Sequence, residues 1–197
     1  YYIYARAVND FDGSPLRINS TVPALRRLKL EALDTGNRVA TAIASIWLSM
    51  ELTLASPIQA INEIEYSLLY LPTRSSTLSL ENALDRATAH QWLRAAYIEL
   101  SVPSRAYFHA MSIIEESNKN DQALTLAYFA AIDALMFQSE YSRALELANK
   151  ALTTAQNRNS EHEKFIILFQ KLKVLLQGFH ALYFQLKETL LLLRVRK

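Results

Sequence analysis

Glycine is almost missing from this chain: three residues in 197, at Gly13, Gly36 and Gly178. Average usage is about 7%. Sheet proteins need glycine for hairpin turns and bulges, and phosphate-binding loops need it so that the backbone can approach a ligand. Helices need it least. No segment alternates polar and apolar residues over enough length, between turn signals, to argue a sheet. With 51% hydrophobic residues there is ample material for a core, so the expected class is all-α. Cysteine is absent, which excludes disulfides, thiolate zinc sites and thiol catalysis. A formal charge of +2 does not call for a nucleic acid or an anionic membrane as partner.

The longest apolar stretch of the interior, Val39–Leu54, is interrupted by Thr41, Ser45, Ser49 and Glu51. It is shorter than the roughly 20 apolar residues a spanning helix needs. The end, Thr189–Lys197, is apolar and then basic, as suits the last turns of an amphipathic helix. The expectation is therefore a chain with no membrane span, with the cytoplasm favoured and a periplasmic sensor domain as the other setting.

Three segments share one local pattern: Ser56-Pro57-Ile58-Gln59-Ala60-Ile61, Val102-Pro103-Ser104-Arg105-Ala106-Tyr107 and Glu140-Tyr141-Ser142-Arg143-Ala144-Leu145. Each places Pro or Tyr three residues before an Ala, and each opens one helical stretch just after another. Proline at the first helical position loses no hydrogen bond and has a helical φ already. An alanine one turn later lets the preceding antiparallel helix come close. Apolar residues then continue at helical spacing, as at Leu145, Ala148, Ala151 and Leu152.

These residues resemble the tetratricopeptide repeat family. Glu140-Tyr141-x-x-Ala144-Leu145-x-x-Ala148-x-x-Ala151-Leu152 is similar to the second helix of that repeat, and Tyr128, Ala131 and Leu135 stand where its first helix carries packing residues. The match is closest over Leu124–Gln156, looser over Ala87–Ser117 and loosest over Thr41–Leu71, about half the chain together. Gln156 stands in place of the usual terminal proline, Arg94 and Ile132 occupy a normally small position, and the spacing exceeds the family period of about 34 residues. The resemblance implies a right-handed superhelical array of antiparallel helix pairs, in a lengthened form like that of bacterial signalling and transcription-regulatory proteins.

The expected organisation is one helical-repeat domain over 1–197. Irregular N-terminal helices fill 1–36, broken by the turn Asp12-Gly13-Ser14-Pro15 and stopped by Thr35-Gly36-Asn37. Helix pairs follow at 37–71, 79–117 and 121–156, then a capping pair at 160–195 divided before Gly178. The Leu71–Thr77 loop is the expected hinge.

Local signatures of catalysis are missing. His162-Glu163-Lys164-Phe165-Ile166 begins like the zinc-protease helix, but Ile166 stands where the second His must be. Aligning Asp10-Phe11-Asp12-Gly13 as a calcium loop puts Val8 and Asn19 at essential ligand positions. No Gly-x-Ser-x-Gly elbow occurs, and the glycines are too scattered for a phosphate loop. Neither an enzyme nor a cofactor is expected.

The family resemblance implies a binding module whose concave surface is lined by the first helix of each pair. Its groove positions are Ser45, Ser49 and Thr53, then Gln91, Ala95 and Glu99, then Phe129, Asp133 and Phe137. Hydroxyls, an amide, carboxylates and rings together suit a protein segment or peptide, with a small effector as the other ligand class. The alternative is a structural or dimerising helical domain with no ligand of its own. The last helix, carrying Phe179, Leu182, Leu186 and Leu190 at helical spacing, is expected to cap the array or to dock a second copy.

Overall fold

A computed structural model describes residues 16–71, 85–117 and 123–195. Among them the secondary structure is helical: α1 Leu16–Asp34, α2 Arg38–Leu52, α3 Pro57–Glu65 continued by a 3-10 turn Tyr66–Leu69, α4 Arg86–Glu99, α5 Pro103–Glu116, α6 Ala123–Phe137, α7 Tyr141–Asn157 and α8 Glu161–Val195. The expected N-terminal turn at Asp12–Pro15 and the Leu71–Thr77 hinge fall outside the described residues, Leu71 apart. The chain divides into two compact units, Tyr1–Val102 and Pro103–Lys197. The division runs through the helix pair expected at 79–117.

Within each unit, helices adjacent in sequence pack on one another, and the second and fourth also touch: α2 with α4, and α6 with α8. One connector recurs. Three residues join α1 to α2, α4 to α5, α6 to α7 and α7 to α8. The middle residue of each has a left-handed backbone: Gly36 at φ 68°, Ser101 at 56°, Ser139 at 59° and Asn159 at 52°. In each, the amide of the third connector residue donates to the carbonyl five residues back, as Glu140 does to Leu135 at 2.9 Å, and the middle residue's amide donates to the carbonyl three back, as Ser139 does to Met136 at 2.9 Å. This is the Schellman pattern, which satisfies the last carbonyls of one helix while turning the chain into the next.

Side chains cap the starts of α2, α4 and α8. Asn37 accepts from the Ala40 amide at 3.0 Å and, in α4, Asp85 accepts from the Thr88 amide at 2.8 Å. At α8, Ser160 Oγ accepts from the Glu163 amide at 3.4 Å. There the carboxylate of Glu163 pairs with Arg158 at 2.9 Å, tying the α7–α8 connector to the helix it launches.

Unit 1 is built on α2. Ile46, Leu48, Leu25, Ile64 and Leu93 meet in its core, where Ala60 and Ala96 allow close approach. Lys29 of α1 pairs with Glu63 of α3 at 2.5 Å. Unit 2 is built on α6, whose residues are apolar on nearly every side. Ala127, Tyr128, Ala131, Ile132 and Leu135 are all buried, because α5, α7 and α8 each cover part of its circumference. Ala60, Ala106 and Ala144, the recurring alanines, are buried at 1%, 0% and 0% exposure.

Two boundaries differ from the sequence expectation. The helix expected at Pro23 starts at Leu16 and runs through the proline, which removes one hydrogen bond without ending the helix. The capping pair expected at 160–195 is a single helix, α8. A lone glycine costs a helix about 1 kcal/mol relative to alanine, too little to break it where no proline or cap residue assists. At Gly178 a methyl group would lie 3.5 Å from Tyr141 Cβ, so the position marks contact between α8 and α7. By length and composition alone, the Glu161–Lys187 stretch also meets the requirements of a membrane span, which the sequence reading did not single out.

A serine in left-handed conformation is strained where glycine is not. Ser139→Gly is therefore expected to raise the unfolding free energy by roughly 0.5–1 kcal/mol, read from urea unfolding. A neutral or destabilising result would show that the connector does not store that strain.

Candidate functional site

Of the nine expected groove residues, six belong to unit 1 and three to unit 2. Ser45, Ser49 and Thr53 lie one turn apart on and just after α2, buried in unit 1 at 0%, 0% and 3% exposure. Ser49 Oγ donates to the Ile46 carbonyl at 2.8 Å and Thr53 Oγ1 to the Ser49 carbonyl at 2.7 Å. Hydroxyls satisfied on their own helix can enter a core at little cost. All three side chains lie in the interior of unit 1, Ser45 Oγ with no hydrogen-bond partner there among the described residues. Gln91 and Ala95 on α4 are half-buried and Glu99 is exposed, and Gln91 Oε1 accepts from Arg94 Nε at 3.1 Å.

The last three residues belong to unit 2. Phe129 is half-buried, and Phe137 is 75% exposed at the end of α6. Asp133 is engaged by α8: its Oδ1 accepts from Gln170 Nε2 at 2.6 Å and from Lys173 Nζ at 2.9 Å. The Asp133 carboxylate thereby docks α8 onto α6.

Unit 2 carries a cleft lined by other residues. It lies between the end of α5, the start of α6 and the last two turns of α7 and has a volume of about 510 Å³, within the range of ligand pockets. Ile114, Leu124 and Tyr128 supply its apolar wall, and Glu115, Lys150 and Asn157 its polar side. Thr154 also lines it, its hydroxyl donating to the Lys150 carbonyl at 3.1 Å and so retaining lone pairs for a donor. Lys150, Thr154 and Asn157 recur at intervals that a sequence reading assigns to the solvated face of α7. Only the convergence of α5 and α6 on that face makes it a site, and no local motif announces this.

Among the described residues no three His, Asp or Glu side chains converge as metal ligands would. His162 and His180 are exposed on α8, while His90 and His109 are buried. Burial, and secondarily the Arg86 guanidinium one turn away, pushes the His90 imidazole down to a pKa of about 4. Both effects oppose a second positive charge there.

Two outcomes are expected from these contacts. Asp133→Ala removes the acceptor of two donors, one of them on the fully buried Gln170, and should destabilise the protein by about 1–3 kcal/mol, measured by urea unfolding. For His90, the unfolded chain binds a proton below pH 6.5 that the folded protein refuses until about pH 4. Its contribution is complete above pH 6.5 and is lost as pH falls toward 4, by about 3 kcal/mol in all. Stability of His90→Gln should accordingly decline less than that of the parent between pH 7 and 4; parallel profiles would assign the acid sensitivity to other groups. No protein-family model matches this chain, and no curated protein is similar to it in sequence.

Proposed function

We propose that the chain is a helical-repeat interaction module, in a tetratricopeptide-like arrangement, that captures an extended protein segment in the cleft of unit 2 and serves a regulatory or signalling protein. The observation that carries this reading is the cleft itself, lined by apolar side chains together with an amide, two aliphatic hydroxyls, two cations and a carboxylate. An extended peptide needs partners of both kinds: acceptors and donors for its backbone, apolar contact for its side chains. The recurrent three-residue connector supports the repeat arrangement, since identical turns between packed helices are how such arrays propagate. A small effector would use the same walls and is the narrower form of the same idea.

The test begins with selection of peptides from a random display library on the intact protein, followed by titration of the selected peptide in synthetic form. Lys150→Glu with Asn157→Ala, both exposed positions, should weaken binding at least tenfold, about 1.4 kcal/mol. Gln91→Ala with Glu99→Ala on α4 should leave it unchanged. A library that yields no binder, or a binder lost only with the α4 pair, removes the cleft as the site.

A further inference from the structure

Beyond the cleft, unit 2 carries a second surface on α8, outside the face that packs, with Leu175, Phe179 and Leu182 at its border beside Tyr141 and Leu145 of α7. Ile167, Gln170 and Val174 point into unit 2 and are buried, with Gly178 against Tyr141. On the outer side, Phe165, Leu172, Phe179 and Leu186 recur at intervals of seven. Leu168, Leu175 and Leu182 recur three residues after the first three of these. A third row, Phe169, Leu176 and Tyr183, widens the stripe. Exposure along these rows runs from 37% at Leu175 to 70% at Phe165.

The spacing is a heptad with apolar a, d and e positions, sustained over three repeats, which is the register of helix against helix. A bilayer imposes no such register, and the other flank of α8 holds Lys173 in its pair with Asp133. The stripe exposes on the order of 1,000 Å² of apolar surface, against about 300–600 Å² for the largest patch of an ordinary monomer and about 800 Å² per partner in a stable interface.

We propose that this face of α8 is a self-association surface, closed by α8 of a second copy running antiparallel. Antiparallel pairing sets a against d. It places Phe165 against Leu182 of the second copy, Leu168 against Phe179 and Leu172 against Leu175, so each layer combines a ring with a leucine or two leucines. Parallel pairing would stack Phe165 on Phe165 and Phe179 on Phe179. The antiparallel pairing is its own two-fold mate, as a closed dimer requires.

The experiment uses the full chain and its lack of cysteine. Sedimentation equilibrium over a concentration series should show a dimer, and Leu172→Glu with Phe179→Glu should shift it to monomer by at least a hundredfold in dissociation constant. Helical circular dichroism and cooperative unfolding of that variant should stay as in the parent, since both residues face outward. For orientation, Phe165→Cys alone should not form a disulfide dimer under oxidation, because antiparallel copies hold the two positions about 25 Å apart. Phe165→Cys mixed with Leu182→Cys should cross-link readily. A protein monomeric at every concentration overturns the proposal, and binding of that monomer to phosphatidylserine vesicles would show the stripe to be a lipid surface. Self-linking of Phe165→Cys overturns the antiparallel arrangement. Because the cleft variants lie off the stripe, loss of peptide binding and loss of the dimer are separable results.

Discussion

The three-residue connector with a left-handed middle residue is the constraint on which the described fold rests. Each helix end leaves carbonyls unsatisfied, and each connector answers them with the same two backbone hydrogen bonds. Because the answer is backbone to backbone, it does not prescribe side chains, and Gly, Ser, Ser and Asn occupy the key position. At three of the four, α1–α2, α6–α7 and α7–α8, the joined helices pack along one another. Small residues at the start of the returning helix, Ala144 above all, then determine how close the two can come.

That independence from side chains explains what could and could not be read from the residues. Helix starts at Pro57, Pro103 and Tyr141 were legible because proline and the Ala three residues later carry a mechanism, and the stop at Gly36 was legible because glycine does. Ser101, Ser139 and Asn159 do the same work as Gly36 without its signature. Gly178 misled in the opposite direction: it lies mid-helix beside Tyr141, and nothing near it stops a helix. The class, all-α, followed from composition. The division at Val102 and Pro103 had no mark in the chain, since its connector is like the others.

The site was less legible than the fold. Ser45, Ser49 and Thr53 look like groove residues by type and spacing, yet their helix is the centre of unit 1 and its own carbonyls satisfy two of the three hydroxyls. Asp133 looks like a ligand acceptor until α8, forty residues onward, supplies Lys173 and Gln170. Polar residues announce that they need partners; whether the partner is a ligand or a distant part of the same chain is decided by packing. The outer stripe of α8 is the converse case, in which periodicity was visible and only the structure could show that it stays uncovered.

The apolar circumference of α6 bears on how the protein is made. An ordinary amphipathic helix can wait in water with one face turned outward, but Leu124–Phe137 has no such face. During synthesis it emerges before α7 and well before α8, and the share of its cover that α8 supplies arrives only when Val174 and Ile167 have been translated and folded back. For that interval the nascent chain displays a continuous oily rod, a natural substrate for holding chaperones. A ribosome stalled between α7 and α8 would leave unit 2 open along one side, and the yield of folded protein is thereby tied to the completion of α8.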